Sequence, residues 1–147
     1  YTIKIAQLIL GEELEVSSAS LFQDQLSEVD IWGSACLEEY NNKLSSFLTF
    51  GFYNHYQCNI EILGQNGKVS TDRIFTAPKN YTPSLKLECK NDTKIIDIKA
   101  EDHFVKMLDY FYKIIKNNDD LRKTEYSQIT KQAYLIDQVI EKANTIL

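Results

Sequence analysis

Phe50-Gly51-Phe52-Tyr53-Asn54-His55-Tyr56-Gln57-Cys58-Asn59-Ile60-Glu61-Ile62-Leu63-Gly64-Gln65-Asn66-Gly67-Lys68-Val69, inside the run from Trp32 to Pro78, is the stretch from which the rest of the chain is read. Aromatic and β-branched residues fill its flanks and Gly64 to Gly67 punctuates it, so it predicts two strands folded back through a tight turn. A hairpin of this kind belongs at the centre of a sheet. Asn66-Gly67 sharpens the expectation, because type I′ turns and short hairpin loops need a positive φ, which glycine reaches without steric cost. Gly67→Ala is then expected to cost about 1 kcal/mol or more.

Upstream, Leu14 to Gln25 and Ile31 to Tyr40 predict two strands, and Asn41-Asn42-Lys43 turns the chain into a third, Leu44 to Tyr53. In that third strand Leu44, Leu48, Phe50 and Phe52 face one way, while Phe47 and Tyr53 share the other face with Ser45, Thr49 and Gly51. Apolar groups on both faces imply that the second face is covered as well, by a neighbouring domain or a second subunit. The hairpin arms are Gln57 to Leu63 and Lys68 to Phe75. Thr76 to Pro83 then holds both prolines of the chain and cannot continue a ladder. Ser84 to Cys89 and Lys94 to Ile98 make a further hairpin about Lys90-Asn91-Asp92-Thr93.

Helical periodicity frames these strands. Tyr1 to Leu10 places Ile5, Leu8 and Ile9 at helical spacing, with Gly11 as the C′ residue. An apolar-periodic opening with no capping residue before it implies a portion of the protein upstream. From Asp102 the period changes from two to 3.6, with Phe104, Met107, Leu108, Phe111, Ile114 and Ile115 on one side. Glu101 and Asp102 at the start and Lys113 and Lys116 at the end complement the helix dipole, and Asn117-Asn118 stops it. A last helix is expected from about Tyr126 to the end, its stripe formed by Ile129, Ala133, Ile136, Val139, Ile140, Ala143, Ile146 and Leu147. The order of elements is that of one α+β domain over 1–147, an open, mostly antiparallel sheet of six or seven strands with helices on one face and the other face available for oligomerisation.

A chain of 147 residues with 44% hydrophobic content has room for a single core. Its formal charge of −5, from 21 acidic and 16 basic residues, and the scatter of the basic ones argue against nucleic acid. No apolar run approaches the roughly 20 residues that span a bilayer, and no charged-then-apolar leader opens the chain. Cys36, Cys58 and Cys89 are odd in number and widely spaced, and only His55 and His103 could join them as ligands. They read as reduced thiols in a cytoplasmic compartment and not as a metal site.

Gly11, Gly33, Gly51, Gly64 and Gly67 form neither Gly-x-Gly-x-x-Gly nor a Walker pattern, so the chain alone does not bind a dinucleotide in the Rossmann manner. It has no Gly-x-Ser-x-Gly elbow and no His-Glu-x-x-His pair. His103, at a helix start beside an acid, fits packing or capping better than catalysis. His55, where a strand leaves the sheet, is in a position that could face a pocket.

Taken together, three stretches are similar to one family. Tyr1-Thr2-Ile3-Lys4-Ile5-Ala6-Gln7-Leu8-Ile9-Leu10-Gly11-Glu12-Glu13 resembles the segment after Asp-x-Gly-Cys in the glucose-fructose oxidoreductase / inositol dehydrogenase / MocA (Gfo/Idh/MocA) family. Phe50-Gly51-Phe52, Asn54, Tyr56, Glu61-Ile62, Gly64, Gly67 and Asp72-Arg73-Ile74-Phe75-Thr76-Ala77-Pro78 resemble its C-terminal domain, in particular that of its sugar-nucleotide ketoreductase-like members. Asp102-His103-Phe104 at the penultimate helix is a third point of similarity.

The resemblance implies an N-terminal Rossmann domain, absent here, that binds NAD or NADP and carries a lysine in a Glu-Lys-Pro motif. No cofactor is then held by this chain alone. It implies an open sheet that mediates homo-oligomerisation, and hydride transfer between a nicotinamide and a carbinol or ketone carbon of a sugar or sugar nucleotide. Tyr1 matches the family's Tyr/His position and would exchange the hydroxyl proton beside the missing lysine, since a phenol with an ordinary pKa of roughly 10 needs a cation nearby to act as a base. The alternative for Tyr1 is a frayed residue at a helix end, inert in this chain by itself. Lys4, one turn on, is either an electrostatic helper or a solvated lysine.

Arg73 could meet a diphosphate, or pair with Asp72 or a strand neighbour. Asn54, His55 and Tyr56 could line the substrate end of the sheet, although strand aromatics are more often core. Two other functions compete with the oxidoreductase: a self-sufficient module holding a small ligand, and a purely structural dimerisation domain.

Overall fold

The structure is a computed structural model describing residues 1–11, 13–73, 75, 77–117 and 119–146. Glu12, Ile74, Thr76, Asn118 and Leu147 lie outside the described residues. With them go parts of the expected first and second family-like stretches, the end of the hairpin's second arm, half of the Asn117-Asn118 stop and the last residue of the expected apolar stripe. The chain divides into two compact units, Tyr1–Asn54 with Asp119–Leu147, and His55–Asn118. The α+β class holds, but the strands form two four-stranded sheets and not one continuous sheet.

The first unit contains α1 (Thr2–Leu10), β1 (Leu14–Phe22), β2 (Trp32–Glu39), β3 (Leu44–Gly51), α3 (Asp119–Lys142) and β8 (Ala143–Ile146). Its sheet runs β3-β2-β1-β8, antiparallel except for β8, which lies parallel to β1. The expected last helix therefore starts earlier and stops sooner than its periodicity suggested, because residues 143–146 pair with Ala19–Phe22 as a strand. Leu14, Val16, Ala19, Ala35, Leu37 and Leu48 turn inward to meet Ala6 of α1 and Leu135 and Val139 of α3. Val16 and Ala19 are an odd number of residues apart, so strict alternation would put one of them outside. The register shift between Val16 and Ser18 restores both to the core, which is what a β-bulge does for side-chain parity.

Both helices of this unit present a different face from the expected one. In α1, Ala6 and Gln7 are buried with Ile3 and Leu10 packed on the core, while Leu8 and Ile9 are exposed. In α3 the buried set is Leu135, Gln138 and Val139; of the expected stripe Val139 is in the core and Ala143, now in β8, packs on it, while Ile129, Ile136 and Ile140 face outward. The interior glutamine explains the misreading. Gln138 Oε1 accepts from the Val16 N–H at 3.0 Å and Lys142 donates to the Val16 carbonyl, so side chains of α3 close the edge of β1 before β8 takes over at Ala19. Gly11 ends α1 as expected, at φ +96°, its N–H donating to Gln7 O at 3.0 Å.

The second unit is the meander β4 (Asn59–Gly64), β5 (Gly67–Asp72), β6 (Ser84–Cys89), β7 (Asp92–Asp97), followed by α2 (His103–Asn117). Neighbours in the order β4-β5-β6-β7 are all antiparallel. The central hairpin exists, closing at Gly64↔Gly67 around Gln65-Asn66. Its turn is not type I′, because among the described residues positive φ falls on Gly11, Lys43 and Arg73. Gly67 is required for another reason: a Cβ there would stand 2.5 Å from the carbonyl oxygen of Glu88 in β6. Asp102 caps α2, its Oδ1 accepting from Phe104 N at 3.1 Å and Val105 N at 3.2 Å. The helix was expected to cover a sheet face, yet Phe104, Met107, Leu108, Phe111 and Ile115 are each more than half exposed.

Candidate functional site

Arg73 is the residue at which the second unit departs from regular geometry. It follows the last residue of β5 with φ +52°, a left-handed backbone that costs a non-glycine residue on the order of 1 kcal/mol and is characteristic of functional turns. Its guanidinium carbon lies 5.8 Å from the centroid of the Tyr81 ring. A cation–π contact of this kind uses the charge of the guanidinium and none of its N–H donors, which can still serve an anion.

Beside it, Tyr56, Gln57, Cys58, Asn59, Asp72 and Arg73 enclose a concavity of about 210 Å³ at the open end of the β4–β5 hairpin, where Asn59 pairs with Asp72. Cys58 Sγ accepts from Phe75 N at 3.2 Å and ties the segment after Arg73 back to the one before β4. The space is below the several hundred Å³ of a small-molecule pocket, so it suits one group of a larger ligand.

Of the residues singled out from the sequence, Tyr56 and Arg73 are brought together here. His55 belongs to the same unit and is exposed. Asn54 belongs to the first unit and is exposed, as is Tyr1, which precedes α1 as its N-cap residue; Tyr1 O accepts from Ile5 N at 3.0 Å. Lys4 is not a freely solvated lysine: it is half-buried and its Nζ donates to Gln128 Oε1 at 2.6 Å. Sequence reading missed Tyr81, although an aromatic between the two prolines was a visible signal. It also missed Gln128, for which a polar residue on a helix offers none.

The first unit has a broader concavity of about 600 Å³ lined by Glu13, Tyr126, Ser127, Thr130, Lys131 and Tyr134. Nearby, the Glu15 carboxylate accepts from Gln138 Nε2, from Lys131 Nζ at 3.2 Å and from Tyr134 OH at 3.3 Å. The Gln138 hydrogen bond is the main reason that this carboxyl is held below its ordinary value, with Lys131 adding to it against the opposing effect of burial.

No protein-family model matches the chain. A dTDP-3,4-didehydro-2,6-dideoxy-alpha-D-glucose 3-reductase of Streptomyces violaceoruber is 28% identical over 153 aligned residues, covering 99% of this chain and 45% of that protein. An enzyme of the same description from Actinomadura kijaniata is 30% identical over 146 residues, covering 99% and 43%. Among solved structures, KijD10, a 3-ketoreductase from Actinomadura kijaniata, superposes with TM-score 0.91 at 29% identity in a complex with NADP. A variant of it with one lysine replaced, bound to TDP-benzene and NADP, gives TM-score 0.89 at 30% identity over 99% of this chain and 46% of that one. The chain thus spans a little under half the length of the curated relatives it matches.

Proposed function

We propose, from a chain that belongs with the Gfo/Idh/MocA-type oxidoreductases and whose homologues are dTDP-sugar 3-ketoreductases, that it is the C-terminal domain of an NADP-dependent enzyme that reduces a keto sugar nucleotide. The observation that carries the reading is the similarity, over 99% of the chain, to a 3-ketoreductase solved with NADP and TDP-benzene. Both compact units would then act as one substrate-binding and oligomerisation domain over residues 1–147.

The cofactor does not fit this chain, whose five glycines form no phosphate-cradling turn ahead of a helix. We assign it to a part of the enzyme beyond these residues, and what falls to this chain is the substrate and the proton. Tyr1, at the exposed start of α1, gives its phenolic proton to the carbonyl oxygen as the carbon is reduced. The phenol O–H bond breaks, the carbinol O–H forms, and solvent reprotonates the phenolate. Arg73 offers its in-plane fork to a diphosphate oxygen beside Tyr56, and a space of about 210 Å³ fits that one group of the substrate. Asn54 and His55, just before Tyr56 in the chain, complete the substrate-side residues of this reading.

The same reading includes a homo-oligomer formed through the second sheet. Ile60, Ile62, Val69, Leu85, Leu87 and Ile96 alternate onto one face, while Glu61, Lys68, Lys86 and Glu88 carry ion pairs on the other. Ile62 and Ile96 are 39% and 47% exposed, and such a face calls for cover. The unbridged thiols Cys36, Cys58 and Cys89 support a reducing, cytoplasmic setting.

The test is the complete enzyme with a dTDP-linked 3-keto sugar and NADPH. Tyr1→Phe is expected to lower kcat by about 100-fold with little change in KM, the scale of a lost general acid. An unchanged kcat removes Tyr1 from the chemistry. A complete protein that neither oxidises NADPH with such a substrate nor binds TDP in calorimetry makes the chain a non-catalytic module instead.

A further inference from the structure

We infer that Gln128 of α3 is a positioning residue for Tyr1, a role that rests on the reading of Tyr1 as the proton donor. A helix of nine residues is too short to hold its own geometry, so α1 takes its position from what it touches. Ala6, with Ile3 and Leu10 beside it, anchors the helix on the core by apolar contact, which fixes the axis but leaves the first turn free to fray. Two polar ties from α1 to α3 among the described residues converge on one residue. Lys4 Nζ donates to Gln128 Oε1 at 2.6 Å, and Gln7 Nε2 donates to the Gln128 carbonyl at 3.1 Å.

Lys4 lies in the turn that Tyr1 begins, next to Ile5, whose N–H donates to Tyr1 O at 3.0 Å. Its side chain is therefore a strut from the turn bearing the phenol to the body of α3. Gln7 is 4% exposed and its Oε1 is buried without a hydrogen-bond partner among the described residues. An apolar residue would fill that place without stranding an acceptor, so a glutamine there is accounted for by its donor to Gln128.

Gln128→Leu removes the acceptor for Lys4 while leaving the backbone tie. Gln128→Glu keeps an acceptor and turns the contact into an ion pair. In the complete enzyme, Gln128→Leu is expected to lower kcat about 10-fold with KM within 2-fold, and Gln128→Glu to restore kcat to within 2-fold of the parent. Lys4→Met should match Gln128→Leu, and the double variant should be no worse than either, because both remove one strut. Amide exchange gives a readout apart from turnover: the Ile5 N–H should exchange faster in Gln128→Leu, and the strand amides of β2 should not.

Equal loss in Gln128→Leu and Gln128→Glu, or an unchanged kcat in Gln128→Leu while Tyr1→Phe is impaired, overturns the positioning role and leaves the reading of Tyr1 standing. If Tyr1→Phe itself turns over normally, that reading falls first and the positioning role falls with it.

Discussion

The two units are built from similar strands but stand on different physics. Every buried hydrophobic residue among those described, from Ala6 to Val139, belongs to the first unit. The second has a regular meander, a capped helix and a ladder of ion pairs, yet its apolar residues are half-buried at best. Backbone pairing and surface charge specify register at little stability, since exposed ion pairs contribute little and a sheet needs an apolar face packed against something. The first unit is the part that holds itself together. The second leaves its apolar residues half-exposed.

The sharpest way to break that comparison is to truncate one apolar side chain in each sheet. Leu37 is fully buried on β2, and Leu37→Ala should cost about 3 kcal/mol, read from the urea transition of Trp32, the sole tryptophan of the chain, in the same unit. Ile62→Ala, at a site already 39% exposed, should cost less than about 1 kcal/mol. Its larger effect should be on assembly: Ile62→Lys is expected to shift a sedimenting oligomer toward monomer without moving the Trp32 transition. Similar stability losses for Leu37→Ala and Ile62→Ala would erase the distinction between the units.

The same difference decides what was legible in the sequence. All seven expected strands and the three helices exist, because period-two and period-3.6 patterns are local. What failed was non-local. The α1 and α3 faces were misassigned because Gln7 and Gln138 are buried through partners more than a hundred positions away, which no window of neighbours can reveal. Strand β8 was hidden because residues 143–146 become a strand only by lying beside β1. The turn at Asn41-Asn42-Lys43 that joins β2 to β3 was readable, whereas the division into two sheets was not, since nothing between Tyr53 and Asn59 marks where one ladder stops. At the candidate site, Arg73 and Tyr56 stood out as chemistry-bearing types. Tyr81 did not, because its role exists only through the turn that brings the Arg73 guanidinium over its ring.

A smaller effect tests the second sheet from within. Gly67 needs no positive φ, but an added methyl would meet the Glu88 carbonyl at 2.5 Å and Cys89 Sγ at 3.3 Å. Gly67→Ala is therefore expected to cost about 2 kcal/mol by pushing β5 from β6, and not by straining the turn. Faster modification of the exposed Cys89 thiol, with Trp32 unfolding unchanged, is the expected signature. Slow Cys89 labelling in this variant would show that the two strands absorb the methyl, and that the second sheet is looser than its register implies.

The smallest effect belongs to the first unit and is set by charge. Glu15 is held below its ordinary carboxyl value of 4.5, chiefly by Gln138 and then by Lys131 and Tyr134. A depressed folded pKa means that the unfolded chain takes up the proton first as pH falls. The stabilisation is thus complete above about pH 4.5 and drains away as acid carries the pH through the lower folded value. With its side chain 38% exposed, the contribution is modest and screened. Urea midpoints of the Trp32 transition between pH 6 and pH 3 should fall less steeply in Glu15→Gln than in the parent chain. The Glu88 cluster of the second sheet, though its carboxyl is also lowered by Lys86 and Lys68, should leave that slope unaltered when Glu88→Gln is made. Equal flattening by both substitutions would mean that acid acts on the two units alike, and that α3 does not hold the edge of β1 through this carboxylate.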